Sequence, residues 1–198
     1  MAAVLCSFAA RAGDTVQDWD QAKAPPPTLK DVTVKAATTA FLILDIEAAT
    51  CNEQGRPRCV AAVPGIAAFA KRARDAKMLV AYSNTGRGSP ETILPPVKPM
   101  AGEHVVKASV NKFRGTDLEQ YLKDKKIETV IICGTTAFGV SLHTATAASL
   151  RGLKVILPVD CNAGSSVYEE QAVLFSLTNG PGTAANLTAT RLSMIKID

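Results

Sequence analysis

The sequence predicts a single three-layer, Rossmann-like α/β domain with a mostly parallel sheet of about six strands. Three observations predict it. From residue 40 onward, short apolar runs alternate with longer segments of helical periodicity. The apolar runs are continuous, as strands covered on both faces require. The 198 residues, 47% hydrophobic and 20% charged, suffice for one sizeable core. Internal repeats are absent.

Residues 1–12 form a signal-like segment: Ala2–Ala10 is an apolar run, and Ala10-Arg11-Ala12 before Gly13 resembles a small-residue cleavage site. A basic stretch before the run is missing, so a packed or frayed N-terminal segment is the competing reading. Residues 13–37 are polar and broken by Pro25-Pro26-Pro27, an extended arm rather than a helix. The domain proper is expected over 38–198.

Within it, Ala40–Ile46 (AFLILDI) is the first strand. Pro64 opens a helix over 64–76, with Ile66, Phe69, Ala70 and Ala73 on one stripe. Met78–Ser83 is the second strand, and residues 84–102, with four prolines and three glycines, form a long loop of the kind that covers a site. His104–Ala108 is a short strand carrying Lys107. Thr116, with Glu119 three positions later, forms a capping box before a helix over 116–125. Thr129–Cys133 is a strand, 134–139 a small-residue turn, and 140–150 a small-residue helix stopped by Gly152. Leu153–Val159, a helix over 167–178 and a last strand over 194–197 complete the pattern.

Composition also excludes. No window holds about eighteen consecutive apolar residues, so no membrane-spanning helix is expected. The net charge is only +4, and the basic residues are scattered without interleaved aromatics, so nucleic acid is not a partner. Of five cysteines, Cys51 and Cys59 bracket a Gly- and Pro-containing loop short enough to bring them into disulfide range. Such a bond would suit a periplasmic or secreted protein; in a cytoplasmic one, two reduced thiols are equally expected. Cys133 and Cys161 read as core thiols. The histidines, His104 and His143, lack the spacing of a metal pair, and neither metal nor cofactor is expected.

In parallel sheets, sites lie beyond the carboxyl ends of the strands. Asp45, Lys107 and the turn from Gly134 to Ser141 fall there. An aspartate beside an ammonium is a carboxylate whose ionisation can be set for proton transfer. The bland alternative is a solvated strand terminus and a surface lysine.

The run LILDIE at 42–47 resembles the first-strand motif of the isochorismatase-like hydrolases. VVKASVNKFRGTDLEQYL at 105–122 is similar to their lysine segment, and the stretch from Val130 to Asp160 resembles their third motif. The resemblance implies a catalytic Asp45 with Lys107 as its partner. It puts the nucleophilic cysteine of the amidohydrolase branch at Val140, with Ser141 the nearest hydroxyl. Valine cannot attack a carbonyl. Isochorismatases proper also lack that cysteine. Their glutamine after the aspartate is Glu47 here, a second carboxylate that would raise one of the two pKa values. Glu47, Arg87, Phe113, Thr136 and Phe138 are assigned to substrate contact. Arg87, Lys112 and Arg114 are candidate carboxylate binders or solvated charges, and N–H groups near Thr136 and Val140 are an expected anion cradle. The resemblance thus implies a hydrolase of a small, anionic molecule working by acid–base chemistry without a cysteine, and a homo-oligomer. A catalytically inactive binding protein is the alternative.

Overall fold

The computed structural model describes residues 14–21 and 24–198; the signal-like segment lies outside the described residues. The strands are β1 (Val32–Val34), β2 (Thr39–Leu44), β3 (Leu79–Asn84), β4 (His104–Lys107), β5 (Thr129–Thr135), β6 (Lys154–Pro158), β7 (Asn162–Ala163), β8 (Leu187–Thr190) and β9 (Ile195–Ile197). The helices are α1 (Pro57–Asp75), α2 (Leu118–Asp124), α3 (Leu142–Ser149) and α4 (Val167–Asn179). A seven-stranded sheet in the order β4-β3-β2-β5-β6-β8, with β7 beside the end of β5, forms the middle layer, and every pairing in it is parallel. β1 and β9 pair separately, also in parallel.

β2 shows why this architecture forms. All six of its residues are buried. Successive side chains of a strand point to opposite faces, and here Phe41 and Ile43 join one core while Ala40, Leu42 and Leu44 join the other. The first core is closed by α1 through Ile66, Phe69, Ala70 and Ala73, with the Phe41 and Phe69 rings edge to face at 4.9 Å. The second is closed by α2, α3 and α4 through Leu118, Leu122, Ala145, Ala148, Val173 and Leu177.

The structure corrects several local expectations. Pro57, not Pro64, occupies the first turn of α1, and Pro64 lies inside the helix. Its ring is exposed, so the cost is the missing N–H rather than lost packing. The capping box at Thr116 does not form. α2 starts at Leu118; the Thr116 hydroxyl donates to the Lys112 carbonyl and accepts from Leu118 N–H, while Glu119 pairs with Lys123 and Arg151. The arm is not extended throughout: it contains a 3₁₀ turn at Trp19–Gln21 and ends in β1. β8 carries two threonines in four residues and no apolar run, so its pattern is faint.

Cys51 and Cys59 are disulfide-bonded, their Cα atoms 5.4 Å apart, which ties the loop after β2 to the first turn of α1. Cys133 and Cys161 are not core thiols: they too are bonded, with Cα atoms 5.0 Å apart, joining β5 to the segment before β7. Because a crosslink restricts the unfolded chain more as its loop lengthens, removing each bond by paired Cys→Ala substitution has a graded effect. The pair separated by 8 residues is expected to cost about 2–3 kcal/mol in urea unfolding, and the pair separated by 28 about 1 kcal/mol more. Equal losses would contradict that ordering.

Candidate functional site

β2 ends at Leu44, and Asp45 follows with φ of 56°, a left-handed conformation that Asp tolerates better than most residues. Its backbone N–H donates to the Ser83 carbonyl, and the bend turns its carboxylate under the carboxyl edge of the sheet. There Ser83 Oγ donates to Asp45 Oδ1 at 2.7 Å, and Lys112 Nζ lies 2.8 Å from Oδ2. Lys112 also donates to the carbonyls of Asn84 (3.2 Å) and Ala108 (2.9 Å), which accounts for all three ammonium hydrogens. The ammonium is wholly buried, and the Asp45 side chain keeps 7% of its surface.

Lys107 is therefore not the partner of Asp45. It is an exposed side chain at the end of β4, whereas the segment beyond β4 brings Lys112 inward. Burial pushes the Asp45 carboxyl above the ordinary aspartate range, against the opposing pull of Lys112 and Ser83, with a small further push from Glu47. Burial likewise holds Lys112 below the ordinary lysine range, against the pull of Asp45. Each group is shifted toward its neutral form.

Glu47, 1% exposed, is not a free substrate contact. Its carboxylate accepts from Thr85 N–H and Oγ1, Asn84 Nδ2 and Thr92 Oγ1. A β-carbon at Gly88 would stand 1.8 Å from Glu47 Oε2, so glycine is required for the loop to fold over it. Burial raises the Glu47 pKa, but these donors outweigh it and the net position is below the usual glutamate range.

The turn after β5 is built from its own polar groups. Thr136 Oγ1 accepts from Gly139 N–H, its carbonyl accepts from Gly139 and Ser141 N–H, and Phe138 N–H donates to Glu169 Oε1. Around the expected anion cradle near Thr136 and Val140, the N–H groups of Phe138, Gly139 and Ser141 are thus engaged. Val140 is 2% exposed, its Cγ1 3.1 Å from where a β-carbon on Gly134 would stand. Ser141 Oγ is fully buried and donates to Asn162 Oδ1, while Asn162 Nδ2 donates to the Ile132 and Pro158 carbonyls. Phe113 is a core residue with Arg151 over its ring at 4.7 Å; Phe138, Arg87 and Arg114 are exposed.

Asp45, Lys112, Glu47 and Asn84 are thus brought together, and Lys107, Arg87 and Phe113 are not part of that contact network. Ser83, Asn84 and Glu169 were not legible as site residues. A cleft of about 490 Å³ lies elsewhere, among Thr39, Thr129 and Lys154 at the amino ends of the strands. Among the described residues, no group of three or more His, Cys, Asp or Glu could hold a metal ion.

This arrangement meets known proteins at the level of family and fold. The isochorismatase domain family matches residues 39–190, and the chain belongs to that family. A 63-residue stretch is 38% identical to N-carbamoylsarcosine amidase of Arthrobacter sp, covering 31% of this chain and 24% of that enzyme. Among solved structures, an isochorismatase family protein of Desulfovibrio vulgaris superposes with a TM-score of 0.72 at 18% identity, over 79% of this chain and 95% of that one. The N-carbamoylsarcosine amidase of Thermoplasma acidophilum gives 0.68 at 20% identity, over 78% and 96% respectively. A cysteine hydrolase of Pseudomonas syringae gives 0.71 at 19% identity, over 85% and 95%. At these identities the three structures share the fold.

Two expectations follow. Truncating one member of a buried pair leaves the other charge uncompensated, so Lys112→Met is expected to cost about 3–5 kcal/mol, whereas Lys107→Ala stays within about 0.5 kcal/mol. Urea midpoints of the two variants measure this directly. The Glu47 carboxyl is held below its unfolded value, so its contribution to stability is present above the unfolded pKa of 4.5 and is lost as pH falls through the lower folded value. Glu47→Gln should accordingly flatten the acid limb of the stability–pH curve; an unchanged limb would count against the four-donor clamp.

Proposed function

We propose that the chain is a hydrolase of the isochorismatase family that works by acid–base chemistry on water, with Asp45 moving the proton and Lys112 setting its ionisation. The observation that carries the reading is the buried Asp45–Lys112 pair, 2.8 Å apart at the carboxyl edge of the sheet. Burying two charges costs several kcal/mol per ion before their attraction is counted. A perturbed acid–base pair at such an edge is the arrangement that proton transfer requires. The resemblance puts the family's nucleophile position at Val140, so a covalent intermediate has no side chain to form on there. Ser141 does not replace it, because its hydroxyl is committed to Asn162.

The charge balance bears on the substrate. Asp45 and Glu47 face one ammonium, that of Lys112, and the N–H groups of Phe138, Gly139 and Ser141 in the turn after β5 are engaged. A neutral substrate carrying hydrogen-bond donors suits these surroundings better than an anion. A second reading, a binding protein without turnover, is favoured by one observation: Val140 and Lys112 are 2% and 0% exposed.

A hydrolysis screen over vinyl ethers and neutral carboxamides separates the two readings. Turnover by the unaltered protein, reduced about 10²–10⁴-fold in Asp45→Asn and little changed in Lys107→Ala, is the expected result. Ser141→Ala should lose about 1–3 kcal/mol of stability yet keep turnover per folded molecule. Absence of turnover on every substrate selects the binding reading, and loss of turnover in Ser141→Ala would make that serine the nucleophile.

A further inference from the structure

Toward the amino ends of the strands, the opposite edge of the sheet from Asp45, a cavity of about 420 Å³ opens between α2, the end of α3 and the starts of β5 and β6. That volume lies in the range of small-molecule sites, about 300–1,000 Å³. Its apolar lining is Phe113, Leu122, Ile127 and Leu153, all buried or half-buried. Its charged lining is Glu119, half-buried, with Lys123, Glu128, Arg151 and Lys154, all exposed. This division into an apolar floor and a charged rim is what a ligand pocket shows. None of Asp45, Lys112 and Glu47 lines it.

Part of the rim is already held in place. Arg151 Nε donates to Glu119 Oε2 at 2.6 Å and Nη1 to the Ala147 carbonyl at 3.0 Å, and the guanidinium lies over the Phe113 ring at 4.7 Å. Lys123 takes the other oxygen of Glu119 at 2.7 Å. Hydrogen bonds from Lys123 and Arg151 hold the Glu119 carboxyl down at about 2, so it stays ionised. Arg151 Nη2 and the Lys154 ammonium have no partner among the described residues. Three cations therefore face two carboxylates around an apolar floor, and two of those cations have N–H donors to spare.

We infer that this cavity is a binding site for a small apolar monocarboxylate, its hydrocarbon body on Phe113, Leu122, Ile127 and Leu153 and its carboxylate on Arg151 Nη2 and Lys154. A single negative charge balances the excess of one cation. A cationic ligand would add to that excess, and a neutral one would leave the spare donors unanswered. The inference goes beyond the hydrolase reading and does not depend on it.

Titration calorimetry of the full chain with 2-naphthoate tests the site. One molecule per chain is expected to bind, with neutral 2-naphthamide about 10-fold weaker. Arg151→Met and Lys154→Met should each weaken 2-naphthoate about 5–10-fold, while Asp45→Asn leaves it unchanged. Lys154 also lines the neighbouring cleft of about 490 Å³, so Arg151→Met is the more selective variant. No saturable binding, or equal affinity for acid and amide, overturns the inference. Loss in Asp45→Asn with none in Arg151→Met puts the acid at the candidate active site, and loss in Lys154→Met alone puts it in the neighbouring cleft; either result overturns it as well. Should Arg151→Met fail to fold, a crystal of the unaltered protein soaked in 2-naphthoate decides. Density against Phe113 and Leu122 is expected there, and density only elsewhere sinks the site.

Discussion

The carboxyl edge of this sheet is organised around one buried ion pair. Two charges removed from water are stable only if their hydrogen-bonding capacity is met, and here Lys112 uses three acceptors while Asp45 receives donors on both oxygens. Those partners come from separate parts of the chain: the end of β2, the end of β3, and the segment running from Ala108 to Lys112. The pair can therefore form only when the β2–β3–β4 register is right. Asp45 N–H bonding to the Ser83 carbonyl fixes that register at the place where the charge is carried. Loss of either partner strands the other charge in a site with little access to solvent.

Glu47 extends the same logic one layer outward. Four donors from residues 84, 85 and 92 converge on it, and the loop must carry glycine at 88 to pass so close. The carboxylate thus serves as an internal post for the loop over residues 84–92. Asn84 connects the two systems, because its side chain binds Glu47 while its carbonyl binds Lys112. Asn84 therefore touches both the loop's anchor and the ammonium. The disulfide between Cys133 and Cys161 secures the other flank, where Gly134 N–H bonds to the Cys161 carbonyl and Asn162 receives Ser141.

The parts of this arrangement that depend on periodicity were legible in the sequence, and those that depend on the course of a loop were not. The apolar run ending at Asp45 announced both a doubly covered strand and an acid at its carboxyl end, and β2 and Asp45 lie there. Lys107 was chosen because it ends a strand and because the resemblance puts the family's lysine there, but neither says which way the chain turns next. The turn after β4 leaves Lys107 in solvent and carries Lys112 inward, and nothing in the spacing of the two lysines distinguishes them. Cys133 and Cys161 sat inside or beside apolar runs, the setting of an ordinary core thiol; their proximity follows from β7 lying against β5, which a two-residue strand does not advertise. Pro64 was read as a helix start, when the helix already ran from Pro57 and simply carries the ring on its exposed side.

The proposed reading, in which position 140 offers no nucleophile, changes what the ion pair is for. Beside a cysteine, a carboxylate and an ammonium would act through the thiol, one taking its proton and the other stabilising the thiolate. Under the proposed reading, with no thiol acting there, neither role has an object, and the protonation of the pair is set by burial, by mutual attraction, and by Ser83 and Glu47. Burial shifts Asp45 up and Lys112 down, each toward its neutral form. Under that reading the pair acts on water directly, without a thiol between them.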